Sequence, residues 1–175
     1  MKSLKKLVLG LLLFILILLI YASWLWVSAL TAFPTNAIAN VTLKLGRNVT
    51  DLGGAREVVH SARWLMVTLS AAIRGSYDET RVGEIRNSVR YLEIAFSEPV
   101  WVWSRGWGVA DSRDRADRIL ITLSSGPPRS GVPAGLVLIR VRTADRPPCW
   151  FGYIARKRSY LALCRALERS RPRYK

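Results

Sequence analysis

The sequence predicts an α+β protein: an N-terminal transmembrane helix, then a small domain with a long helix packed on an antiparallel sheet of about five strands, closed by a C-terminal helix. Three observations carry this. An uncharged, apolar run fills residues 7–33. Apolar residues then recur at helical spacing over residues 54–74. From residue 91 onward the period falls to two, and the runs are joined by short turns. Short turns suit antiparallel pairing, because a parallel crossover takes a dozen or more residues. The 175-residue length suits one domain. Seven tryptophans and a charged fraction of 22% exclude a wholly disordered chain, and two cysteines exclude a disulfide-dense mini-fold.

Residues 1–6 carry Lys2, Lys5 and Lys6. The run that follows exceeds the roughly 20 apolar residues a helix needs to cross a bilayer. Basic residues before it and none until Lys44 after it place the N-terminus in the cytoplasm and the domain outside, at the plasma membrane. Tyr21, Trp24 and Trp26 gather at the outer half, as interfacial aromatics do. Val27-Ser28-Ala29 also fits a signal-cleavage site; kept or cleaved, the segment sends the remainder across. Residues 34–52, with Pro34, Asn36, Asn40 and Asn48, read as a linker to a domain spanning 53–169, and residues 170–175 as a basic tail.

Within the domain, Ala55, Val58, Val59, Ala62, Leu65, Met66, Leu69, Ala72 and Ile73 form one helix face, ended by Gly75. His60, Trp64, Val67 and Ala71 form a second, less apolar stripe. A short helix is predicted over 77–88 on Val82, Ile85 and Val89. Leu92, Ile94 and Phe96 mark the first strand, Val100–Ser104 a second and Arg118–Ser124 a third. Gly135–Thr143 is a fourth and Cys149–Arg156 a fifth. Residues 105–117 and Gly126–Gly135 read as loops, and Tyr160–Arg169 as the last helix.

No catalytic constellation is present. His60 is the single histidine, which excludes multi-histidine metal sites, and no GxSxG, P-loop, HExxH or GxGxxG occurs. Asp111, Asp114 and Asp117 alternate with Arg113, Arg115 and Arg118 as a solvated, charge-mixed loop does. No metal, cofactor or enzyme activity is expected. Cys149 and Cys164 are a candidate disulfide, closing a loop of about 15 residues worth about 3 kcal/mol. The net charge of +15 favours anionic partners. Candidate contact residues are Trp101 and Trp103 on one strand face beside Arg105, Arg140 and Arg142 on one face of the fourth strand, and the C-terminal Arg165, Arg169, Arg171 and Arg173. The functional expectation is a membrane-anchored, extracytoplasmic interaction or structural module. It meets the lipid bilayer through residues 7–33 and a protein partner or an anionic polymer through its domain. The alternative is a binder of an anionic envelope polymer or membrane surface through the basic C-terminal region and the Trp-rich strand. Nucleic acid is not expected outside the cytoplasm.

Overall fold

Among the described residues seven strands form one antiparallel sheet, in the order β2 (Asn48–Asp51), β1 (Ile38–Leu45), β4 (Tyr91–Val100), β5 (Arg115–Thr122), β6 (Leu136–Arg142), β7 (Cys149–Ile154), β3 (Ala71–Tyr77). The computed structural model describes residues 2–53, 55–69, 71–102, 115–142 and 147–170. Helix α1 (Lys2–Thr31) leads through a short 3-10 turn into β1 (Ile38–Leu45) and β2 (Asn48–Asp51). Then come α2 (Arg56–Val67), β3 (Ala71–Tyr77), α3 (Glu79–Ser88) and β4 (Tyr91–Val100). The chain finishes through β5 (Arg115–Thr122), β6 (Leu136–Arg142), β7 (Cys149–Ile154) and α4 (Lys157–Ser170).

The alternation in sequence sorts side chains onto two faces. Leu92 and Ile94 of β4, Ile119 and Ile121 of β5, and Val137 and Ile139 of β6 share one buried cluster with α2 and α4. Helix α2 supplies Val58, Val59, Ala62, Leu65 and Met66, and α4 supplies Leu163, Ala166 and Leu167. Each large side chain so buried contributes about 1.5–3 kcal/mol. Leu120, Leu138 and Trp150 point to the other face, where Val82 and Ile85 of α3 cover them. The result is three layers: two helices, the sheet, and one shorter helix. Asp78 caps α3, its carboxylate accepting from the Arg81 N–H at 2.7 Å.

Two segments depart from the sequence reading. Most of residues 34–52 is a hairpin, with Leu45 opposite Asn48 across a two-residue turn in which Gly46 takes φ 67°. The helix predicted over 54–74 stops at Val67. The Thr68 hydroxyl donates back to the Trp64 and Leu65 carbonyls, and Ala71–Tyr77 pairs with β7 as an edge strand instead. Among the described residues the sheet therefore has seven strands, not about five. Of the strand expected at Val100–Ser104, Val100 ends β4, while Trp103 and Ser104 lie outside the described residues.

The transmembrane helix is corrected. Among the described residues no helix is long and apolar enough to cross a membrane. The far end of the apolar run belongs to the domain. Ala32 and Phe33 are fully buried, Phe33 meets Phe96 edge-on with 5.5 Å between ring centroids, and α1 packs on α2.

Candidate functional site: a basic cleft between β1 and α2

Strand β2 covers only part of its neighbour's edge. Its pairing with β1 runs from Leu45 back to Thr42, and the Leu52 N–H then donates to the Val41 carbonyl at 2.8 Å. The chain turns away at Gly53, which takes φ 53° while its N–H donates to the Asp51 carboxylate at 2.9 Å. It re-enters the fold as α2. The start of β1 is left beside α2, with a register shift between Ile38 and Asn40 in its pairing to β4. A cleft of about 740 Å³ opens there. Ile38, Ala39, Asn40 and Val41 line it from β1, and Arg56, Val59, His60 and Arg63 from α2. Thr35, Asp51 and Gly53 complete the lining.

Arg56, His60 and Arg63 recur at four and three residues, so α2 presents them on one side. Arg63 is the half-buried member. Its guanidinium lies 5.8 Å from the centroid of the Phe33 ring, and its Nε is buried with no hydrogen-bond partner. Burial pushes its pKa below the ordinary arginine value. Among the described residues neither Arg56 nor Arg63 forms an ion pair.

Several arginines elsewhere are matched. On the face covered by α3, Asp117 of β5 accepts from Arg140 Nε at 2.8 Å and Nη2 at 2.7 Å, a bidentate pair. Arg142 Nε reaches the same carboxylate at 2.9 Å, and Arg140 Nη1 reaches Glu79 at 2.8 Å. Burial pushes the Asp117 pKa up, but the Arg140 hydrogen bonds and the charges of Arg140, Arg142 and Arg118 outweigh it and hold the carboxyl below its usual range. Arg140 rises above its ordinary value, chiefly through its hydrogen bond to Asp117. Arg86 and Arg118 converge on Glu93 at 2.8 and 3.0 Å. The fully buried Trp150 ring lies between Arg86 and Arg140, 5.4 and 5.8 Å from their guanidinium carbons. This network secures β5, β6, β7 and α3 to one another.

The residues singled out from sequence therefore divide. Arg140 and Arg142 share a strand face, as the period predicts, but both are engaged by Asp117. Asp117 itself, read as part of a solvated loop, is 8% exposed within β5. Trp101 is 48% exposed with the Arg115 guanidinium 5.4 Å from its ring. Arg169 pairs loosely with Glu57 at 3.4 Å, and Arg165 is exposed on α4. Trp103, Arg105, Arg171 and Arg173 lie outside the described residues. Cys149 and Cys164 are not bonded to each other. The Cys164 thiol lies against Tyr160, one turn earlier in its own helix, and burial pushes its pKa up. Neither cysteine lines the cleft that holds His60. Among the described residues no group of three His, Cys, Asp or Glu is placed to hold a metal.

Sequence reasoning passed over Arg56 and Arg63, although their spacing with His60 was visible. Which arginines lack a carboxylate partner is set by the β5–β6 register and by α3, and that is not visible in a string of residues. Chemically, the cleft offers two guanidiniums and an imidazole to an oxyanion, with Ile38 and Ala39 as its accessible apolar lining. Comparison with protein-family models, curated proteins and solved structures finds no match.

Proposed function

We propose that this chain is a non-enzymatic interaction module, associated with a membrane, whose domain binds an anionic group in the β1–α2 cleft. The carrying observation is Arg63: a half-buried cation, with an unpartnered buried Nε, in a cleft that also holds Arg56 and His60. A desolvated charge without a counter-charge is costly, and an incoming oxyanion offsets that cost. Calorimetric titration of the full chain in a neutral detergent with phosphate, acetate and choline tests this. Saturable, salt-sensitive binding of the anions, weakened about tenfold by Arg56→Gln or Arg63→Gln, supports it. Binding unchanged by both substitutions ends it.

Membrane association is supported by α1. Its large side chains from Val8 to Trp24 are apolar and 44–61% exposed, and a helix apolar on all sides calls for an apolar surround. The proposal is attachment, not passage. Co-flotation of the chain with lipid vesicles at high salt tests it, and recovery in the vesicle-free fraction contradicts it.

A second reading rests on Trp101 and Arg115, an exposed aromatic–cation pair fit to meet an anionic polymer. Loss of polymer binding in Trp101→Ala with Arg63 intact favours it over the cleft.

A further inference from the structure

The cleft lies at the foot of α1. The sequence stays uncharged through Phe33, whose side chain sits under Arg63, and Thr35, four residues beyond the last residue of α1, already lines the cleft. Four residues of chain span at most about 14 Å. The cationic opening is thus held close to where an apolar helix meets polar surroundings. With the helix attached to a bilayer surface, that level is the headgroup layer.

Resting on the anion-site reading above, we infer that the ligand is the phosphodiester headgroup of a single anionic phospholipid. The lining matches that chemistry on three counts. Arg56, His60 and Arg63 take the phosphate oxygens, with the guanidinium fork suited to two of them at once. Half-buried Ile38 and exposed Ala39 give an apolar contact to the glycerol and the first acyl carbons. Asp51 lines the same cleft and opposes additional negative charge, which favours a monoanionic phosphodiester over a multiply charged peptide or free phosphate dianion. The volume of about 740 Å³ lies within the range of small-molecule sites.

The test uses the full chain in neutral detergent micelles. Short-chain phosphatidylglycerol, short-chain phosphatidylcholine, inorganic phosphate and a poly-glutamate peptide are each titrated, with bound ligand counted by native mass spectrometry. Arg56→Gln, Arg63→Gln and Arg63→Lys are compared with Arg165→Gln, which removes an exposed charge elsewhere. Circular dichroism confirms that each variant is folded. One phosphatidylglycerol per chain is expected, at least tenfold tighter than phosphatidylcholine. Each glutamine variant in the cleft should weaken it about tenfold, with partial recovery in Arg63→Lys and no change in Arg165→Gln. Equal affinity for the two lipids overturns the inference, as does equal loss in Arg165→Gln. If inorganic phosphate or the peptide binds through Arg56 and Arg63 more tightly than the lipid, the anion site stands and the lipid assignment falls. If no anion binds, both fall.

Discussion

Asp117→Asn removes the charge that joins β5 to β6 on the face covered by α3. The carboxylate holds two bonds from Arg140, whose side chain is 15% exposed, and one from Arg142, which is 53% exposed. An asparagine oxygen can keep one Arg140 bond. The loss is then one buried, charge-assisted bond, about 1.5–3 kcal/mol, plus an exposed pair worth less than about 1 kcal/mol. The sum is about 1.5–4 kcal/mol. For a domain of this size that lowers Tm by roughly 3–16 °C. Urea unfolding followed by tryptophan fluorescence measures it as a shift in midpoint at unchanged slope. Arg142→Gln serves as the control and should cost less than about 1 kcal/mol. The advantage of wild type over Asp117→Asn also depends on pH. Because the folded carboxyl titrates below its ordinary value of about 3.9, the advantage is complete above that value and fades as pH falls through the lower folded one. A cost below about 1 kcal/mol, or an equal cost in Arg142→Gln, would refute the assignment of Asp117 as the buried anchor of this network.

Two further outcomes are expected. Phe33→Ala, at a fully buried position against Phe96, should cost about 3 kcal/mol in the same assay; a surface-like cost would show that the end of the apolar run is not part of the core. Tyr160 donates to the Leu123 carbonyl at 2.9 Å, and burial, reinforced by its hydrogen bond with Cys164, pushes its pKa up to about 12. Since the unfolded phenol ionises near 10, stability should fall as pH rises from about 10 to about 12, and Tyr160→Phe should flatten that fall while costing about 1 kcal/mol at neutral pH.

The strands from Leu92 onward are legible as short apolar runs bounded by turns: Ile119 and Ile121, then Val137 and Ile139, line the α2–α4 core, while Leu120 and Leu138 between them meet α3. The β1–β2 hairpin is harder to see. Val41 and Leu43 alternate inward, but Asn40 and Asn48 around them suggest a linker, and the signal lies in Gly46-Arg47 as a two-residue turn. Strand β3 is hidden for another reason. Ala71, Ala72 and Ile73 continue the helical spacing of α2, and only pairing with Ile154, Tyr153 and Gly152 of β7 makes them a strand. At the site, composition shows an excess of arginine but not its distribution. Asp117 meets Arg140 and Arg142 only once β5 and β6 are in register, and the string of residues does not show that Arg56 and Arg63, unlike those two, have no carboxylate partner among the described residues.

The most direct measurement is a map of amide and arginine side-chain resonances of the full chain in neutral detergent as inorganic phosphate is added. Shifts should concentrate on Ile38–Val41 and on Arg56, His60 and Arg63, saturate, and vanish in Arg63→Gln. Shifts spread over the exposed arginines of α4, or unchanged by the substitution, would contradict a basic cleft between β1 and α2 as the binding site.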